Sequence, residues 1–139
     1  MFISVCDRDK RPIVSIARDI VRLGFHIVAT DGTARALRAA GVGCTTVKKI
    51  HEGTPNVRDM LVGGQIALMI NTPFGHATRN DGYELRTEAV KHGITQVTNL
   101  AGAQAMVAGM EASRENGLTV IALQDLPQHT LSLGPALTA

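Results

Sequence analysis

The chain has 139 residues, with 45% hydrophobic, 19% charged and only 3% aromatic side chains, no Trp, and a formal net charge of +2. That describes one globular domain with a single good core, and it excludes a disordered chain. The charge is too small to argue for nucleic acid or a membrane surface, and the missing aromatics remove the stacking platforms of single-strand binders.

Phe2 to Cys6 reads as a first strand, followed by the polar turn Asp7-Arg8-Asp9-Lys10. The charges that follow so soon argue against a signal peptide, and no run approaches the length of a membrane span. Pro12 suits a first helical turn, where its missing N–H costs nothing. Ile13, Ile16, Ala17, Ile20 and Leu23 recur at helical spacing, and Gly24 closes that helix. A second strand covers Phe25 to Ala29, and a second helix runs from about Ala34 to Ala40, ended by Gly41.

The turn between them, Thr30-Asp31-Gly32-Thr33, is the stretch that organises the chain. It joins the carboxyl end of a strand to a helix start, where open α/β sheets hold their ligands and where free N–H groups attract anions. Gly32 would permit positive φ and close backbone approach. An ordinary loop with Thr33 as N-cap accounts for the same residues, so both readings stand at this point.

Cys44 to Val47 is a short third strand, and Lys48 to Pro55 a loop. Asn56 caps a short helix carrying Val57, Met60 and Leu61 inward, stopped by Gly63-Gly64. Ile66 to Ile70 is the most apolar run and reads as a central strand buried on both faces, with Asn71 to Gly75 as the loop after it. Asp81-Gly82-Tyr83-Glu84 has the capping-box pattern and predicts a helix that stops at His92-Gly93. Ile94 to Thr98 is a fifth strand, Ala101 to about Glu115 an alanine-rich helix, and Leu118 to Leu123 a last strand. Residues 1–125 form the expected domain and 126–139 a weakly ordered tail. The alternation predicts an α/β three-layer sandwich around a mainly parallel sheet with right-handed crossovers.

In such a sheet the βα loops share one edge. Lys10, the Thr30–Thr33 turn, Lys48 and Lys49, and Asn71-Thr72 would then converge, and a cation, hydroxyls, an amide and a helix start fit one phosphate. Arg79 and Arg86 are either surface charges or part of that anion site. Other chemistry finds no support. His26, His51, His76, His92 and His129 lack metal spacing, and no metal or cofactor is expected. The dinucleotide, P-loop and G-x-S-x-G patterns are missing. Asp59 and Asp81 fit a surface helix position and an N-cap better than a general base. Cys6 and Cys44, both in predicted strands, read as buried thiols of a cytoplasmic protein.

Four stretches carry a family resemblance: Ser4 to Lys10, Gly24-Phe25 with Ala29 to Ala34, Val47 to Asn56, and Ile70 to Pro73. Together they resemble the methylglyoxal-synthase-like domain, and in particular the C-terminal allosteric domain of the carbamoyl-phosphate synthase large chain. The Lys49-Ile50-His51-Glu52-Gly53-Thr54-Pro55-Asn56 stretch is the specific part.

The resemblance implies a Rossmann-like, five-stranded parallel sheet in order 3-2-1-4-5. It also implies an effector pocket for a nucleoside monophosphate, in which UMP inhibits and IMP activates. Matched position by position, the effector phosphate falls to Lys10, Thr30, Gly32, Thr33, Lys49, Asn71 and Thr72, with no catalytic residue. Thr98 matches a position near an ornithine site at the interface with the rest of the large chain. The implied partners are the ATP-grasp domains of the same chain and a glutaminase small subunit. They belong to an ATP-dependent ligase that makes carbamoyl phosphate for pyrimidine and arginine synthesis. A homo-oligomer is a further expectation, and it rests on the alanine-rich helix and not on the resemblance.

Two departures bear on the pocket: Asp31 puts a carboxylate in the phosphate loop, and Pro73-Phe74 replaces small hydroxyl residues. The alternative function is a free-standing methylglyoxal synthase acting on dihydroxyacetone phosphate. It is disfavoured because Gly53 to Asp59 lacks the Gly-Gly-Asp stretch of that enzyme. A pure oligomerisation module, suggested by the alanine-rich helix, would leave the polar loops without a purpose.

Overall fold

The structure, a computed structural model, describes residues 1–72, 77–117 and 120–125, except the side chains of 77–81 and 116. The strands are β1 (Phe2–Val5), β2 (Val28–Thr30), β3 (Thr45–Val47), β4 (Leu68–Thr72) and β5 (Thr95–Val97). The helices are α1 (Ile13–Arg22), α2 (Asp31–Ala39), α3 (Val57–Val62), α4 (Ala77–Lys91) and α5 (Leu100–Asn116). Every strand pair is parallel, and the order is 3-2-1-4-5, as the resemblance implied.

Alternate side chains of a strand point to opposite faces, and the core divides accordingly. Ile3, Ala29, Leu68 and Ile70 pack against α1, α2 and α5 through residues such as Ile16, Ile20, Leu37 and Val107. Phe2, Val28 and Met69 face the other way, onto Val57 and Leu61 of α3 and Leu85 and Ala89 of α4. Burying each large side chain contributes about 1.5–3 kcal/mol, which is why the three inner strands, β2, β1 and β4, are mostly apolar and carry their polar residues, Thr30, Ser4, Asn71 and Thr72, towards their carboxyl ends.

The helix ends follow the sequence closely. Gly24 and Gly41 both take positive φ. Beyond each, the next N–H reaches back into the helix, Phe25 to the Ile20 carbonyl at 3.2 Å and Val42 to Leu37 at 2.9 Å. This is the glycine-closed helix end expected at these positions. Asn56 caps α3 by accepting the Arg58 N–H at 2.8 Å.

Several elements differ from the expectation. The helix read as starting at Asp81 starts at Ala77, so Asp81 lies inside α4 and not at its N-cap position. The local Asp-Gly turn signal loses to four preceding residues that accept helical geometry. Asn71 and Thr72, read as loop, are the last two residues of β4, because their ladder with Ser4 and Val5 continues the sheet. Val120 to Ala122 form no strand, and Leu123–Asp125 make one 3-10 turn; Leu118 and Thr119 lie outside the described residues. So do Pro73 to His76 and the expected tail, 126–139. Cys6 and Cys44 flank strands instead of lying in them, and both thiols are free and half-buried. Among the described residues no helix is long and apolar enough to cross a membrane.

One buried acid sits on α4. The Glu88 carboxylate pairs with Lys91 at 2.8 Å, Arg58 at 3.7 Å and His92 at 3.8 Å. The Lys91 hydrogen bond leads in holding its pKa below the ordinary glutamate value, against the opposing effect of burial. A depressed carboxyl stabilises the fold fully above the unfolded value of 4.5, and that contribution disappears as pH falls through the lowered value. Glu88→Gln is therefore expected to flatten the acid limb of a stability–pH profile measured by urea unfolding. An unchanged acid limb would show that the pairs do not act.

Candidate functional site

The carboxyl ends of β1, β2 and β4 surround a cavity of about 550 Å3. Its polar rim is built by sheet register. Ser4 is paired with Asn71 and Val5 with Thr72 across the β1–β4 ladder, and partners in a parallel ladder share a face. Ser4 and Asn71 therefore stand on the α3–α4 side, with the apolar floor of Phe2, Val57 and Leu85 beneath them.

β2 ends at Thr30, which is the N-cap of α2. The Ser4 and Thr30 hydroxyls are 3.1 Å apart. Thr33 is not the cap. It sits one turn inside α2, 1% exposed, and its hydroxyl accepts the Val5 N–H at 3.1 Å. It thereby ties the helix start to the end of β1. The Cys6 N–H points at Thr72 Oγ1 (3.4 Å) and at the Thr72 carbonyl (3.2 Å).

The residues matched to the effector phosphate all line this cavity: Lys10, Thr30, Gly32, Thr33, Lys49, Asn71 and Thr72. Thr98 does not. It is exposed just beyond β5, the edge strand, which β4 separates from β1. Ser4, Asp7 and Arg8 also line the cavity. Their signal in the sequence was a lone serine in an apolar strand and a charged turn directly after it.

The Asn71 side chain is 6% exposed, and among the described residues its amide nitrogen has no hydrogen-bond partner. Buried donors are almost always paired, so an orphan in a cavity wall marks a position for an acceptor from outside the chain. Lys10 reaches in from the first loop, its ammonium 2.6 Å from Asp7. The hydrogen bond and charge of Lys10 hold the Asp7 carboxyl below its ordinary pKa.

Gly32 does not use positive φ. Its value is space: a Cβ there would stand 3.1 Å from the Lys10 ammonium. Asp31 turns away from the cavity, 64% exposed, and pairs with Arg35 at 2.9 Å, so its carboxylate does not oppose an anion inside.

Lys49 and Ile50 enter from the segment after β3. Asn56 organises that segment by donating to the carbonyls of Ile50 (3.3 Å) and Gly53 (3.0 Å). The neighbouring Lys48 ammonium is turned to the Thr54 carbonyl, 3.5 Å away. Asp59, weighed as a general base, accepts the Asn56 N–H at 2.8 Å and completes a capping box. Arg86 does not line the cavity, and the Arg79 side chain lies outside the described residues. Among the described residues no group of His, Cys, Asp or Glu suits a metal ion. His76 and His129 lie outside them.

A family model, the MGS-like domain, matches residues 12–98. Among curated proteins, the carbamoyl phosphate synthase large chain, C-terminal section, of Methanopyrus kandleri is 48% identical over 89% of this chain. The carbamoyl phosphate synthase large chain of Methanothermobacter thermautotrophicus is 44% identical over 90%. This chain spans 23% and 12% of the lengths of those two relatives. The solved structure of ForH aligns with a TM-score of 0.58 over 84% of this chain and 79% of that one. At 21% identity, that likeness speaks for the fold alone. From the matched model, the sheet order and the identity to these large chains, the chain belongs to the MGS-like domain family.

Proposed function

We propose that this chain is the effector-binding domain of a carbamoyl-phosphate synthase large chain, and that it takes a nucleoside monophosphate, UMP or IMP, phosphate first. The observation that carries this reading is the unpartnered Asn71 amide in a cavity that also holds Lys10, Lys49 and the start of α2. A phosphate supplies acceptors for all of these at once. The apolar floor beneath, and a cavity of about 550 Å3, leave room for more than an inorganic ion.

In this reading the chemistry belongs to ATP-grasp domains of the same large chain, working with a glutaminase subunit in the cytoplasm. The relatives' greater length supports that context. Thr98, exposed at the end of β5, would face those domains near an ornithine site.

Methylglyoxal synthase activity finds less support. Proton abstraction beside a carbonyl needs a positioned carboxylate, and Asp59 is engaged as a cap. Of the described lining residues only Asp7 carries a carboxylate, and it is paired with Lys10. The expected result is no turnover of dihydroxyacetone phosphate.

Calorimetry with UMP, IMP and inorganic phosphate tests the proposal. Lys49 is exposed and solvent-screened, so Lys49→Ala is expected to weaken UMP by about tenfold, with melting temperature unchanged within about 1 °C. No heat and no thermal shift with millimolar nucleotide would overturn the reading. Turnover of dihydroxyacetone phosphate would transfer it to the lyase.

A further inference from the structure

Lys10 does not stand in the cavity as an unpaired cation. Its ammonium lies against the start of α2, 3.1 Å from where a Cβ on Gly32 would be, and 2.6 Å from Asp7. A cation beside the positive end of a helix is unfavourable, and a carboxylate on its other side offsets that. The Asp7 side chain is 94% exposed, so this partner can swing away at little cost.

We infer that Asp7 is a tethered competitor: a resident carboxylate that holds Lys10 in the empty site and that an incoming phosphate must displace. The inference rests on the phosphate-site reading above and names the residue that sets its affinity. A phosphate prevails because it can reach Lys10, the unpartnered Asn71 amide and the α2 N–H groups together. Asp7 can satisfy only the lysine. Removing the competitor should tighten every anion that uses Lys10, by the same factor. An exposed pair of this kind corresponds to about two- to fivefold in affinity.

The other charged residues lining the cavity, among those described, are Arg8 and Lys49, and Asp9 belongs to the same turn as Asp7. These stay constant across the variants compared.

The test is a calorimetric cycle on wild type, Asp7→Asn, Lys10→Met and the double variant, titrated with inorganic phosphate and with UMP. Asp7→Asn should tighten both ligands about two- to fivefold, and the gain should vanish in the Lys10→Met background. No gain would overturn the inference. A gain that persists without Lys10 would also overturn it, since Asp7 would then act by repulsion through space.

A second readout avoids weak binding in Lys10→Met. Followed by carboxyl-carbon NMR, the Asp7 titration should move up towards its ordinary range when wild type is saturated with phosphate. An unmoved titration means that Lys10 never left Asp7, and the competitor fails. If neither wild type nor Asp7→Asn binds phosphate or UMP, the site reading falls, and the competitor with it.

Discussion

Asn71→Val is expected to make the ligand-free domain more stable and to weaken phosphate and UMP binding by about 10- to 100-fold. The two effects have one cause. The Asn71 amide nitrogen is buried in the wall of the cavity with no partner among the described residues. A buried unsatisfied donor costs about 1–3 kcal/mol, and an apolar side chain of similar size removes that cost. Valine also suits a strand position, and Asn71 is in β4. The melting temperature should rise by about 3–5 °C for each kcal/mol recovered in a domain of this size. Binding moves the other way, because a hydrogen bond to a charged phosphate contributes about 1.5–3 kcal/mol and valine cannot make it. Thermal unfolding and calorimetry on one preparation give both numbers. A melting temperature that falls would mean that the amide is satisfied in the empty protein. Unchanged affinity would remove Asn71 from the site.

Thr33→Val should produce the opposite stability signature, a loss of about 1–3 kcal/mol and about 3–15 °C in melting temperature. Read from the sequence, this threonine was a helix cap or a phosphate ligand. In the fold its hydroxyl, buried to 1% exposure, accepts the N–H of Val5 at 3.1 Å. Valine keeps the shape and removes the acceptor, so a donor at the end of β1 is left without a partner. Thr33→Ser keeps the acceptor and should recover most of the loss. Affinity should fall as well, since α2 is no longer fastened to the strand end that carries the cavity. If Thr33→Val and wild type melt together, the hydroxyl contributes nothing across the β1–α2 gap. If Thr33→Ser behaves like Thr33→Val, the methyl and not the hydroxyl is what matters.

Much of this arrangement was legible in the chain itself. Helical spacing from Ile13 to Ile20, the glycines at 24 and 41, and the apolar run ending at Ile70 located strands and helices to within a few residues. Parallel connectivity then put every strand's carboxyl end on one edge. That put Lys10, Thr30, Lys49 and Asn71 on a common edge, and the strand order that the family resemblance implied brought them together there. Topology is a long-range consequence of a local pattern, which is why it could be read without coordinates.

What the chain could not disclose is what each side chain meets across space. The hydroxyl of Thr33 finds a donor 28 positions earlier, and Thr72 meets Cys6 across 66 positions. Neither spacing leaves a mark in local sequence. Asp31 turned out of the cavity because Arg35, one helical turn along, holds it on the solvent side. Gly32 proved to be a gap for the Lys10 ammonium and not a positive-φ hinge. Whether Asn71 ended a strand or began a loop depended on its ladder with Ser4, which is a property of two strands at once. The orphaned amide in the cavity wall is likewise defined by its surroundings: only packing decides that none of the described residues comes within hydrogen-bond reach of it.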